Sequence, residues 1–294
     1  MKMKLLNKQD INKLRREVYT TLMNKYYNLF MDSYKFDGPS PEQEDYMMRQ
    51  FWAIGTVAAF KIKHTDDIGI VPYAAQNYNM YDFPANVLLI NKRGLPFIPN
   101  SIQEVDKDVA LGWIQANHKP IREICEYYID RLTTVEMVIN TNLHLQKLPW
   151  AIGIDPTDTA KAQDIIDRIL NDELVIFMSF DDLNNIRVLA TSAPYIIDKL
   201  CAYRYILENT LLTYLGIDSP ESNSKAHEYN NLDETNSNNE MIQTNRDAYL
   251  KHIKDFLKKI KELFGVEWTV KSTHKPVASV HEEPEREREA EEDV

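Results

Sequence analysis

The chain has 294 residues, of which 44% are hydrophobic and 27% charged, with a formal net charge of −11. This is the composition of a soluble globular protein, long enough for one large domain or two small ones, and no apolar run approaches the roughly 20 residues that span a bilayer. The acid excess argues against a free-standing nucleic-acid binder, because such proteins are as a rule basic.

The N-terminus, MKMKLLNKQDINKLRR, lacks the apolar core of a secretory signal, so the protein is expected to be made and kept in a cytoplasm. A first helix is predicted from about Asp10 to Ser33, with Ile11, Leu14, Val18, Leu22, Tyr26, Leu29 and Phe30 as its apolar stripe. Its leading end is basic (Lys2, Lys4, Lys8, Lys13, Arg15, Arg16) and reads as a solvated terminus. Ser40-Pro41-Glu42-Gln43 carries a cap, a first-turn proline and a capping-box glutamine. The helix it starts places Met47, Met48, Phe51, Trp52 and Ile54 in the core, and Gly55 ends it.

From Val57 to Pro99 the pattern shortens to β-like runs. Asn86–Asn91 and Leu95–Ile98 flank Lys92-Arg93-Gly94 as a hairpin would. Tyr73, Tyr78 and Tyr81 sit among turn residues. They read as packing between loops and sheet, with a base-stacking ladder as the sharper alternative. Pro120 opens the longest predicted helix, which runs to about Gln146 and is roughly 40 Å long at 1.5 Å per residue. Pro149 stops it. A small α/β unit follows, with strands at 150–154 and 174–180 and a helix from Asp155-Pro156 to Leu170.

The segment APYIIDKLCAYRYILENTLLTYLGI, Ala193 to Ile217, reads as one helix with Pro194 near its start and Gly216 at its end. Ile197, Leu200, Cys201, Arg204, Leu207, Leu211, Tyr214 and Leu215 form its buried stripe. The polar stretch from Asp218 to Gln243 is too poor in apolar residues to order itself and reads as a long loop. Thr244 with Asp247 starts a final amphipathic helix to Phe264, its lysines outward. A membrane-surface role is the alternative for that helix, but Gly265 and the strand-like VEWTVK tie it to a sheet. The tail EEPEREREAEED contributes −6 of the net charge and reads as disordered.

No catalytic constellation is found. There is no phosphate-cradling GxxxxGK[ST], no GxSxG elbow, no HExxH and no paired CxxC. Asp181-Asp182 could hold a metal but reads as a turn. His227, His252 and His274 read as solvated imidazoles. Cys125 and Cys201, the two cysteines, fall on expected apolar helix faces and read as buried free thiols, with a disulfide or metal pair as the alternative. The chain is therefore expected to be no enzyme and to carry no cofactor.

The run TSAPYIIDKLCAYRYILENTLLTYLGI, then a long polar loop, then LKHIKDFLKKIKELFGVEWTVK, resembles the portal proteins of small short-tailed bacteriophages, also called head–tail connectors or upper collar proteins. The likeness is sharpest in APYIIDKL, LGI and KELFGVEWTVK, and in QKLPWAI before them, with a weaker match in INKLRREVY.

The resemblance implies an α+β, mainly helical portal fold in a ring, twelve-fold in this family. It implies an N-terminal arm and first part of the wing at 1–118, stem helices at 119–147 and 193–217, and a small α/β clip at 148–192. A channel loop at 218–243, the rest of the wing at 244–281 and the acidic tail at 282–294 complete the layout. The implied role is a conduit for double-stranded DNA during packaging and ejection. The implied partners are other copies of the chain, the major capsid and scaffolding proteins, a separate packaging ATPase, and the lower collar and tail, with no membrane. The protein would sit in the virion at the head–tail vertex. The resemblance also implies that the basic N-terminus touches nucleic acid or the packaging motor.

Lys199, in the DKL triplet, stands where the family carries a channel-facing lysine, and Lys225 where its tunnel loop is basic. Arg204 adds positive charge to the same helix, and with Lys199 and Lys225 it is an expected DNA-channel contact. A second family channel lysine falls on Ala190 here, a departure from the pattern. Asp218, Glu221, His227, Asn236 and Gln243 belong to the expected channel loop, whose acidic bias suits steric obstruction more than DNA attraction. A mostly acidic wall is compatible with sliding DNA, since each cationic contact localises it. The alternative to a conduit is a non-enzymatic oligomeric adaptor without a channel.

Overall fold

The computed structural model describes residues 8–63, 65, 67–147, 150–153, 187–190, 194–218 and 232–274. Outside these lie the expected clip helix at 155–170 and strand at 174–180, Asp181-Asp182, residues 1–7 of the basic N-terminus with Lys2 and Lys4, and the acidic tail. The chain divides into two compact units. One takes Met1–Leu22 and Tyr128–Glu208; the other takes Met23–Tyr127 and Asn209–Val294.

The second unit holds the main core. Its centre is an antiparallel sheet in which β2 (Thr56–Lys61) lies between β3 (Ile68–Val71) and β7 (Val109–Trp113), with Ala58 opposite both Val71 and Leu111. A second sheet has β5 (Pro84–Leu89) between β4 (Tyr73–Tyr78) and β6 (Ile102–Glu104). Phe60, Val71, Val87, Leu89, Ile98 and Leu111 close one apolar cluster with residues from both sheets. A third pairing joins β1 (Tyr34–Asp37) to β10 (Thr269–Ser272), so the strand read in VEWTVK is present.

The hairpin expected around Lys92-Arg93-Gly94 does not form. Asn91 donates from Nδ2 to the Leu95 carbonyl and accepts from the Leu95 amide, both at 2.8 Å. These bonds close the chain into a tight loop, so Leu95–Ile98 has no strand to join, and β5 pairs with β4 and β6 instead.

Three helices pack over this core. Helix α2 (Pro41–Ala53) begins with the expected capping box: Ser40 Oγ accepts from the Gln43 amide at 3.3 Å, and Gln43 Oε1 accepts from the Ser40 amide at 2.7 Å. Gln43 Nε2 also donates to the Ile68 carbonyl at 2.8 Å, fastening the helix start to β3. Met47, Met48, Phe51 and Trp52 are buried as expected, whereas Ile54 remains 38% exposed at the helix end. Gly55 ends the helix at φ +85°. Tyr26 and Phe30, late in α1 (Lys8–Met31), are fully buried, and Phe30 lies 5.5 Å from the Trp52 ring.

The last helix, called α5 here, spans Leu232–Phe264 and so begins well before Thr244. Thr244 Oγ1 donates to the Glu240 carbonyl at 2.7 Å, and Asp247 accepts from Gln243 Nε2 at 3.0 Å. Both residues therefore make bonds inside a helix instead of capping one. The apolar stripe also reaches upstream of Thr244, to the buried Ile242. Ile253, Phe256, Leu257 and Ile260 continue that stripe. Gly112 on β7 admits the Phe256 ring: a Cβ there would lie 2.4 Å from it.

The first unit is built on α3 (Ile121–Lys147) beyond Tyr128, on α4 (Ile197–Leu215) up to Glu208, on the start of α1, and on the pair β8 (Trp150–Gly153) and β9 (Arg187–Ala190). Arg15 bonds Asp130 at 3.0 Å, and Asn142 Nδ2 donates to the Pro194 carbonyl at 3.1 Å. The expected α4 stripe is only partly buried. Leu207 is covered, but Cys201 is exposed, as are Tyr203 and Ile206, the last at 59%. A neighbour on one side cannot cover a whole helix. Cys125 on α3 is buried, as expected.

Candidate functional site

The site read from the sequence lies on α4 and the connection beyond it. Pro194 precedes the helix, which starts at Ile197. Lys199 stands in its first turn, exposed, with no ion pair to another described residue. Arg204 is placed differently. Its Nε meets Glu136 Oε1 of α3 at 2.7 Å, and its second nitrogen lies 4.0 Å from Glu208. Five residues at 3.6 per turn put Arg204 about 140° around the helix from Lys199. The two cations therefore do not form one strip, and Arg204 ties two helices together.

At its far end α4 closes in a left-handed turn. Gly216 has φ +70°, its amide donates to the Thr213 carbonyl, and the Ile217 amide donates to the Leu212 carbonyl, each at 3.0 Å. Three side chains of α5 then hold this end. Asn245 Nδ2 donates to the Thr213 carbonyl at 2.9 Å, and the Tyr249 hydroxyl to the Tyr214 carbonyl at 2.9 Å. Arg246, only 2% exposed, donates from Nε to the Gly216 carbonyl at 2.8 Å, reaches Asp218 at 3.0 Å, and approaches Gln243 Oε1 at 3.4 Å.

Asp218 and Gln243, the two ends of the expected loop, thus meet through one guanidinium. Gln243 and Asn236 lie on α5, so the connection between helices spans 216–231, of which 219–231 lie outside the described residues. Glu221, Lys225 and His227 lie outside the described residues.

The surroundings of Arg246 perturb its neighbours. Burial lowers the His274 pKa, and the positive charge of Arg246 lowers it further against the opposing pull of Asp218. His274 Nε2 lies 3.4 Å from Ser33 Oγ. Burial also pushes the phenols of Tyr214 and Tyr249 upward. The Tyr214 hydroxyl donates to Gln115 Oε1 at 2.7 Å. His252 and His274 are half-buried, not solvated as expected, because each packs beside folded elements. Burial lowers the His252 pKa as well.

Sequence reading missed Arg246. Its signal was register: Ile242, Arg246, Tyr249 and Ile253 recur at spacings of four, three and four, which places an arginine inside an apolar stripe. Of the three tyrosines in the first β region, Tyr73 is half-buried as packing requires, while Tyr78 and Tyr81 are exposed. Among the described residues no group of three or more His, Cys, Asp or Glu side chains could hold a metal, and no helix is long and apolar enough to cross a membrane.

The family profile described as Phage Connector (GP10) matches residues 2–277. Among solved structures, a chain in the portal and tail of native bacteriophage P68 is similar at 12% identity and a TM-score of 0.52, over 95% of this chain and 94% of that one. A chain in the neck of an empty GTA particle is similar at 9% identity and a TM-score of 0.42, over 94% and 87% respectively. With the profile spanning nearly the whole chain and the fold shared over its full length, this protein belongs to the phage connector family, the head–tail connectors of bacteriophage, and has the portal fold.

Proposed function

We propose that this chain forms the ring-shaped portal at the head–tail vertex of the virion, through which double-stranded DNA enters the head and later leaves by the tail. The observation that carries this reading is the connector-family match over residues 2–277. The architecture is compatible with it. Helices α3 and α4 are the stem, the segment holding β8 and β9 is the clip, and the sheets with α2 and α5 are the wing. The exposed Tyr203 and Ile206 on α4 are what a neighbouring subunit covers in a closed ring.

In this reading the protein performs no bond-making chemistry. It supplies a pore and a symmetric platform of twelve subunits, on which a separate packaging ATPase and then the tail dock, and around which capsid and scaffolding proteins assemble. Lys199 and Lys225 are its sparse DNA contacts, and Arg204 holds the stem helices in register. The net charge of −11 suits a wall along which DNA slides without sticking. The connection at 219–231 is the barrier against back-slippage.

Native mass spectrometry with negative-stain imaging tests the ring. A closed oligomer with a DNA-wide hole is expected, with capsid and scaffolding proteins added if the chain alone does not close. Failure to close under both conditions overturns the conduit in favour of an adaptor without a channel. Deleting 219–231 then tests the barrier: rings are expected to persist while packaged DNA leaks back, and full genome retention refutes it.

A further inference from the structure

The hairpin between β4 and β5 displays Tyr78, Met80 and Tyr81 at 61%, 85% and 70% exposure. Such exposure of neighbouring large apolar side chains marks an interaction site when the backbone beneath is fixed. Here it is fixed. Asn79 Oδ1 accepts from the amides of Tyr81 and Phe83 at 2.9 and 3.1 Å, and the Asn79 amide donates to the Phe83 carbonyl at 2.8 Å. Asp82 is held at φ +61° and stands exposed at the tip. The tip is preorganised, so seating it costs little ordering entropy.

The same unit carries a cleft of about 760 Å³ between α2, β3 and the loop closed by Asn91. Its walls include Ile62, Leu95 and the exposed ring of Phe97. Its charged lining residues are Arg49, Lys92 and Arg93 together with Glu42 and Asp67. Arg49 is engaged with Asp45 on its own helix, while Lys92 and Arg93 stand exposed.

Tip and cleft lie at opposite ends of one β ribbon. Tyr78 pairs with Pro84 at the tip, and Tyr73 with Leu89 at the other end, where Ile90 to Arg93 enter the cleft wall. Five residues of strand separate them by roughly 17 Å. Two complementary patches at opposite ends of one body form a head-to-tail contact, the kind that propagates around a ring.

We propose that the β4–β5 tip of one copy seats in the α2–β3 cleft of the next. Tyr78 or Tyr81 enters beside Phe97, and the Asp82 carboxylate pairs with Lys92 and Arg93. The occupant is a second copy of this chain because both halves of the contact, apolar tip with acid and apolar cleft with cations, are present in it. This inference rests on the ring reading above.

The test uses the full chain carrying Cys201→Ser, which removes the exposed thiol. Tyr81→Cys and Phe97→Cys are added together, rings are assembled, and a short bis-maleimide is applied. A ladder of covalent oligomers is expected from the pair and none beyond dimers from either alone. Asp82→Arg and Arg93→Asp should each reduce ring yield at least about tenfold, with partial recovery when combined. All four sites are exposed, so melting of the separate chain checks that folding is untouched. Intact rings with no ladder and no charge-swap effect overturn this contact and leave the ring standing. Absence of rings from the unsubstituted chain, both alone and with capsid and scaffolding proteins added, overturns the ring and this contact with it.

Discussion

Arg246 donates from Nε to the Gly216 carbonyl oxygen across 2.8 Å, inside the protein, at the point where α4 gives way to the connection before α5. Replacing it with methionine keeps the bulk and leaves that carbonyl without its donor. The expected loss of stability is about 2 kcal/mol, chiefly from the unsatisfied acceptor. Asp218 is open enough for water to replace its half of the bond. Lysine should not restore the loss, because one ammonium cannot reproduce the guanidinium fork. Urea unfolding of R246M and R246K checks both; wild-type stability in either overturns this account.

Gly112 sits where α5 meets β7. A Cβ at this position would come 2.4 Å from the Phe256 ring. Gly112→Ala should cost about 1–3 kcal/mol through overpacking. Phe256→Leu in the same chain should make the alanine cheaper than it is alone, a coupling read by a double-mutant cycle. Additive effects would show that the ring is not the obstacle.

Arg204 and Lys199 should separate by assay. Arg204→Ala breaks the 2.7 Å contact with Glu136, which is partly exposed, so about 0.5–1 kcal/mol of stability is expected to go. Lys199→Ala should stay within about 0.5 kcal/mol of wild type in unfolding while altering DNA passage. A change in unfolding alone would make Lys199 a structural residue.

The folded protein holds His118, His252 and His274 below the usual imidazole range, each chiefly through burial, and His118 also through the positive form of His252. Below about pH 6.5 the unfolded chain takes up these protons more readily than the folded one. The histidines therefore lower stability as pH falls through the unfolded value, and the loss levels off once the folded value is passed. His274→Gln should flatten the stability profile between about pH 7 and 5. Parallel profiles for variant and wild type would contradict this sign.

The two thiols should differ sharply. Cys125 is buried, and burial pushes its pKa up to about 12, so it has almost no thiolate at neutral pH. Cys201 is exposed on α4. Maleimide should label the native chain once, at Cys201, as read by peptide mass mapping. Once rings close, protection of Cys201 would place it at the subunit contact.

Local chemistry alone determined a good part of this protein. The Ser40–Gln43 capping box, the helix opened by Pro120, the buried Met47, Met48, Phe51 and Trp52, and the strand in VEWTVK are each specified by residues within a few positions of one another. The order of the α4 motif, the polar stretch and the closing helix was sufficient to point to the family.

Tertiary structure decided the rest, because those outcomes depend on partners distant in sequence. Asn91 closing on Leu95 cancelled a plausible hairpin. Helix α5 begins at Leu232, which takes Asn236 and Gln243 out of the expected loop, and the buried Ile242 lies on it. The pairing of Arg204 with Glu136, 68 residues upstream on α3, is likewise set by the fold. The buried role of Arg246 exists only where Gly216 and Asp218 fold against it. Periodicity shows which face of a helix is apolar, but what meets that face is set by contacts that no short window of sequence contains.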